Sequence, residues 1–281
     1  MVVLLGLAAA VLYGSGDFLG GMATRKAHVL TVLTLAETAA VIAALAAAVA
    51  WPGPARLAGL AWGVSAGLVG GFGLIIFYVG LAAGPMSVVA PVSGLVSTVL
   101  PVAVALAGGE RPGAGVYAGA LLCLVAIVLA SSAGDTGPAR WPGRLGRAIA
   151  CGTASGVSFG LFFLLIRNAG QSGEVWPVAA GRIGELAVVL AAVAMLRPGL
   201  LRGAGGRIPL VAAGAGVIDV VANLCYVAAT RTGMFGLAVV LASLYPGVTV
   251  LLARVVLGER LRWVQRVGLG LAAIGILLVA A

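Results

Sequence analysis

Apolar residues fill this chain in blocks of about 20, the length a helix needs to cross a bilayer, while charges, prolines and paired glycines gather between the blocks. Inside a block polar and apolar residues do not alternate as they do in membrane barrel strands, so each block predicts a helix that bonds its own backbone. The pattern predicts ten spans, at residues 2–21, 29–50, 57–81, 86–107, 113–131, 147–166, 175–196, 208–229, 234–256 and 264–280. Composition agrees, because 62% hydrophobic residues, 9% charged residues and a mean hydropathy of +1.18 leave no polar surface to face water. The expected class is an all-α integral membrane protein. Its first span is expected to be retained, since the segment from Val2 has neither a charged leader nor a cleavage signal.

The chain also repeats itself. Gly109-Glu110-Arg111 recurs as Gly258-Glu259-Arg260, 149 residues later, and at that offset Leu95, Val99, Gly119 and Leu122 meet Leu244, Val248, Gly268 and Leu271. Tyr78 and Met86 match Tyr226 and Met234 at 148, Pro52-Gly53 matches Pro198-Gly199 at 146, and Gly14 and Arg25 match Gly156 and Arg167 at 142. The longest polar interruption, from Ser131 to Arg147, separates the fifth and sixth spans. Residues 1–131 and 147–281 therefore read as two five-helix repeats joined by a linker at 132–146. Five is odd, so the second repeat enters the membrane in the opposite sense and the two form an inverted repeat, the architecture of many secondary transporters.

Charge refines the picture without changing the class. The net charge of +9 would suggest nucleic acid in a soluble protein, but here the basic residues lie mostly between spans, where they set topology and meet lipid headgroups, so no nucleic-acid partner is expected. One side holds Arg25, Lys26, three arginines of the joint, Arg197, Arg202, Arg207, Arg260, Arg262 and Arg266, against Arg56, Arg111, Arg167 and Arg231 on the other. By the positive-inside rule that bias puts both termini outside the cytoplasm. Cys123, Cys151 and Cys225 lie in apolar runs without metal or disulfide spacing, and the single histidine, His28, falls at the end of a loop. No nucleotide loop, metal motif or nucleophile set is visible, so neither a cofactor nor a metal is expected, and the chain does not read as an enzyme.

Several runs resemble a known family. YGSGDFLGG at the end of the first span, GPMSVVAPVSGLV in the fourth, and SLYPGVTVLLARVVLGERL in the second half resemble the EamA branch of the drug/metabolite transporter superfamily, over essentially the whole chain. The resemblance implies a ten-helix secondary transporter with a central cavity, in a family whose members export amino acids, other metabolites or drugs. It also implies termini in the cytoplasm, opposite to the reading from charge.

Ionisable residues within spans cost about 2.5–3.5 kcal/mol each on insertion scales, so each of them invites a functional reading. Arg182 and Glu185 share a helix face at a spacing of three and read either as a self-neutralising pair or as substrate contacts. Asp219 and Asn223, four apart, suit a cationic substrate or a coupling proton, or else bond to a neighbouring helix. Glu37 has no partner in its own span and reads either as a candidate proton site or as a residue reaching the interface; Asp17 is expected either to pair with Arg25 or Lys26 or to bind cargo. Tyr78 and Tyr226 occupy equivalent positions, facing a cavity or belonging to an interfacial aromatic belt. Pro91, Pro101 and Pro246 predict kinks in spans 4 and 9, and Gly63, Gly67 and Gly71 with Gly152, Gly156 and Gly160 predict close helix seams. Together these features predict a multi-pass transporter of the cell membrane, moving a small molecule by alternating access as a monomer or homodimer. The competing reading is a membrane-embedded enzyme acting on a lipid-linked substrate, and a channel is disfavoured because no ring of polar residues repeats.

Overall fold

The computed structural model describes residues 1–51, 53–83, 86–131, 142–171, 175–196, 205–257 and 263–280. These form eleven helices and no strands: α1 (Val2–Thr24), α2 (Val29–Ala50), α3 (Leu57–Ala83), α4 (Met86–Ala107), α5 (Ala114–Ser131), α6 (Pro142–Gln171), α7 (Val175–Leu196), α8 (Ile208–Thr232), α9 (Phe235–Ala242), α10 (Tyr245–Leu257) and α11 (Trp263–Ala280). Among the described residues, α1, α2, α3, α6, α7 and α8 are long and apolar enough to cross a membrane. Large apolar side chains such as Leu4, Ile42, Val49, Phe72 and Leu210 point outward from them, as a lipid-facing surface requires. The second Gly-Glu-Arg triplet and most of the expected linker lie outside the described residues.

Two boundaries differ from the sequence reading. Helix α6 starts at Pro142, inside the expected linker, because proline suits the first turn of a helix, where its missing N–H has no partner to lose. The expected ninth span is broken into α9 and α10 at Ser243 and Leu244. Pro246, in the first turn of α10, cannot donate back to the preceding turn, and the chain instead closes tight turns through Leu244 N–H to Leu241 and Gly247 N–H to Leu244. Helix α4 runs without a break through Pro91 and Pro101. The loop histidine, His28, caps α2, its Nδ1 accepting from the Leu30 N–H at 3.3 Å.

The glycine seams form as expected, and each has a specific partner. Gly152, Gly156 and Gly160 of α6 lie against α4, where a Cβ at Gly156 would come within 2.7 Å of the Ser93 carbonyl oxygen. The Ser155 hydroxyl donates to that of Ser93 at 3.0 Å across the same contact. Gly63 and Gly67 of α3 lie directly on the carbonyls of Pro177 and Gly181 in α7. A contact of the same kind joins α8 to α2, where Gly216 lies on the carbonyl of Ala36. Such backbone approach replaces the hydrophobic driving force that lipid cannot supply.

One end of the bundle is held by a carboxylate. Glu110, just after α4, accepts the N–H groups of Phe235 at 2.9 Å and Gly236 at 3.0 Å, which are unpaired donors at the start of α9. Arg167 of α6 lies over the Phe235 ring, 4.1 Å from its centre. The helix that Glu110 caps begins 125 residues further along the chain.

Candidate functional site

Charged residues that the sequence scatters over three spans converge on Arg182. This arginine is buried in the middle of α7, 3% exposed. Its Nη1 donates to Glu185 Oε2 at 2.6 Å, one turn along the same helix, and lies 3.5 Å from Glu37 Oε2 of α2. Its Nη2 pairs with Asp219 Oδ2 of α8. One guanidinium thus bridges three helices, using its planar fork of donors as a lysine could not. The pairing of Arg182 with Glu185 follows from their spacing, but the links to Glu37 and Asp219 are tertiary.

Asn223 supports the cluster from the next turn of α8. Its Nδ2 donates to the Asp219 carbonyl at 3.0 Å and lies 3.4 Å from Asp219 Oδ2, which leaves Oδ1, 1% exposed as a residue, with no partner among the described residues. Beside the cluster lies a cavity of about 60 Å³. Its polar lining comes from Asp17 and Tyr13 of α1 together with Arg182, Glu185, Asp219 and Asn223; Phe159, Phe162 and Phe163 of α6, Leu74 and Tyr245 complete it. Tyr13 packs edge-on against both Phe163 and Tyr245, with ring centres 6.3 Å apart in each case. Its hydroxyl, like the Asn223 oxygen, has no hydrogen-bond partner among the described residues.

The remaining candidates fall in different places. Asp17 pairs with neither Arg25 nor Lys26 and makes no ion pair with a described residue; it faces the cavity. Tyr78 and Tyr226 are both buried and do not form an interfacial belt. Tyr226 donates to the Phe163 carbonyl at 3.4 Å, and the Tyr78 hydroxyl occupies the space left by Gly20. Tyr226 thus stands behind Phe163 of the cavity wall and Tyr78 packs on α1, because a tyrosine near the end of a helix can still turn inward when the facing helix offers a glycine or a backbone carbonyl. Sequence reasoning missed Tyr13 and the phenylalanines of α6, which carry no contrast within apolar blocks.

The glycine seam turns out to seat the site. A Cβ at Gly70 would lie 2.7 Å from Glu185 Oε1 and 2.9 Å from the Phe162 ring, and one at Gly71 would lie 2.9 Å from Val188. Helix α3 therefore carries no side chain where the carboxylate of Glu185 sits.

Comparison with known proteins adds a family and a fold. A search among curated proteins finds no match to the sequence. A solved structure described only as the crystal structure of a protein superposes with a TM-score of 0.76 over 99% of this chain and 95% of its own length, at 19% identity, which shows a shared fold alone. Residues 146–281 match the EamA-like transporter family. An all-helical multi-pass membrane chain whose buried charges meet beside a cavity is what such a transporter requires, and the stretch 146–281 of this chain belongs to the EamA-like family of the drug/metabolite transporter superfamily.

Proposed function

We propose that the protein is a ten-span secondary transporter of the plasma membrane, built from inverted repeats at 1–131 and 147–281 joined through 132–146, which exports a small molecule by alternating access. The observation that carries this reading is where Arg182 meets Glu37. The paired seams, Gly67 on Gly181 and Gly216 on Ala36, align α3 with α8 at an offset of 149 and α2 with α7 at 145. At 145, Glu37 and Arg182 are equivalent positions, yet they lie 3.5 Å apart. A residue can touch its own repeat mate only near the axis that relates the repeats. Gly94 supports this: a Cβ there would lie 3.8 Å from the carbonyl oxygen of Ser243, its mate at 149. The charged cluster and the break between α9 and α10 would then lie close to the pseudo-two-fold axis, where transporters of this design bind substrate beside interrupted helices.

In this reading the Arg182 cluster is a latch between α2, α7 and α8. Its ion pairs must rearrange when one repeat rocks against the other, and a substrate or a proton arriving at Glu185 or Asp219 supplies the differential interaction that shifts the equilibrium. Flux into or out of proteoliposomes tests it. Glu185→Gln and Asp219→Asn are each expected to lower turnover at least tenfold while the purified protein keeps its thermal unfolding midpoint within a few degrees. Full turnover in both variants would remove the cluster from the mechanism. Coupling is read separately, since a proton-driven carrier accumulates solute in response to an imposed pH gradient and an exchanger responds only to solute on the far side.

A further inference from the structure

The chemistry of the cavity is one-sided, and that side selects a ligand. Three carboxylates line it, Asp17, Glu185 and Asp219, and Glu37 reaches the same guanidinium from behind, against the single positive charge of Arg182. If all are ionised, four negative charges face one positive charge; with two of the carboxyls protonated the balance is still negative. An anionic group has nowhere to bind, because Arg182 already meets Glu185, Glu37 and Asp219 and an incoming carboxylate would displace one of them towards the others.

The orphaned polar atoms point the same way. Asn223 Oδ1 is buried, lies in the cavity wall and lacks a donor, and its orientation is fixed because Nδ2 faces two acceptors, the carbonyl and carboxylate of Asp219. The Tyr13 hydroxyl, four residues before Asp17 on α1, also lacks a partner among the described residues. Asp17 has a full set of lone pairs and no ion pair among them. A buried acceptor left open costs free energy unless something donates to it. A group with several N–H donors and a positive charge would satisfy Asp17 and Asn223 together, while Tyr13, Phe163 and Tyr245 present ring faces and edges to a cation or its apolar tail. The volume of about 60 Å³ holds an ammonium head and its first carbons, not a drug-sized ligand.

We propose that this cavity is an ammonium subsite, formed by Asp17, Asn223 and Tyr13, for a small primary amine with a short apolar tail. The proposal rests on the transporter reading for its biological use, but binding itself does not depend on flux. The cluster centred on Arg182 sets the negative field and bars anions; Asp17 supplies the counter-charge that is not already committed.

Purified full-length protein in lipid nanodiscs, titrated with n-butylamine, n-butanol and butyrate at pH 7 and constant ionic strength, tests it by thermal unfolding. The amine is expected to raise the unfolding midpoint in a saturable way, and the alcohol and the acid are not. Asp17→Asn is expected to weaken half-saturation by the amine at least tenfold and Tyr13→Phe about threefold, with Glu110→Gln, outside the cavity, unchanged. Should Asp17→Asn fail to fold, Tyr13→Phe and the wild-type titrations still decide. Equal stabilisation by butanol, stabilisation by butyrate, no saturable effect of the amine, or unchanged binding in the folded variants would each overturn the proposal. Saturable amine binding without flux of any solute in proteoliposomes would instead sink the transporter reading and leave the subsite standing; flux of a neutral or anionic solute without amine binding would do the reverse.

Discussion

Between α3 and α7, Gly67 lies on the carbonyl of Gly181; between α8 and α2, Gly216 lies on the carbonyl of Ala36. The two seams share their backbone contact and differ one turn further on. Where α3 has Gly70 and Leu74, α8 has Asp219 and Asn223 at the 149 offset; where α2 has Glu37 and Ala40, α7 has Arg182 and Glu185 at 145. Gly70 leaves the space into which the Glu185 carboxylate fits, while Ala40 stays an apolar packing residue. In the proposed repeat the two seams would share a frame and diverge at Arg182, Glu185, Asp219 and Asn223, which line the cavity. Were the proposed repeat symmetric in charge as well, like charges would face each other across its axis and repel. The observed site places a cation on one side and carboxylates around it.

The largest expected effect comes from removing that cation. Arg182→Gln leaves Glu37 and Glu185 buried, with the partly exposed Asp219 beside them, without compensation, and breaking a buried ion pair from one side costs about 3–5 kcal/mol. A large fall in the thermal unfolding midpoint, with loss of flux, is expected. Neutralising the partners as well, in Arg182→Gln/Asp219→Asn/Glu37→Gln, should recover much of the stability and none of the flux. If stability recovers equally with single partner changes at unrelated sites, the cluster is not coupled in the way the geometry indicates.

The helices were legible in the sequence because a bilayer imposes a length and leaves little room for polar exceptions; the site was legible only as a set of candidates. Glu37 looked partnerless because its partner lies on α7, and no spacing rule crosses from one helix to another. Repeat offsets read from matching residues set Arg182 against Ala36 and Asp219 against Gly71. The seams shift each pairing by one residue, and one residue turns a helical side chain by about 100°. That slip left Glu37 only as a shifted alternative in the alignment, not as the mate of Arg182. The break before Pro246 was hidden differently, since Pro101 sits inside an unbroken α4, and whether a proline kinks or interrupts a membrane helix depends on which neighbours take up the freed carbonyl. Beside the break α1 packs closely: Gly14 lies on the Tyr245 carbonyl and its own carbonyl accepts the Thr249 hydroxyl at 3.1 Å.

The seams themselves give the next test. Gly67→Ala and Gly216→Ala each drive a Cβ into a facing backbone carbonyl, and each is expected to cost about 1–3 kcal/mol by overpacking, since backbone yields less easily than a side chain. Similar losses in the two variants would confirm that the frame is alike on both sides. Gly70→Ala separates frame from function: its Cβ meets the Glu185 carboxylate and the Phe162 ring, both side chains that can move, so stability should fall less than in Gly67→Ala while flux falls more. Thermal unfolding and proteoliposome flux on the three variants decide it. Equal flux at equal stability in all three would mean that α3 is only a packing surface.

The smallest effect belongs at Glu110, and its size follows from what the carboxylate does. It caps α9 with two hydrogen bonds to otherwise unpaired N–H groups and sits near the positive end of that helix's dipole. Losing a cap of this kind costs about 0.5–2 kcal/mol. Glu110→Gln keeps an acceptor oxygen and gives up the charge, so it should lose about half as much as Glu110→Ala. Arg167 over the Phe235 ring still holds the start of α9 in either variant. Hydrogen exchange at the amides of Phe235 and Gly236 should therefore speed up in both, most in the alanine variant, while the amides of α7 and α8 around Arg182 stay protected and turnover remains within about threefold of wild type. A Glu110→Ala protein that loses flux at unchanged protection around Arg182 would show that the joint, and not only the cluster, takes part in the moving step.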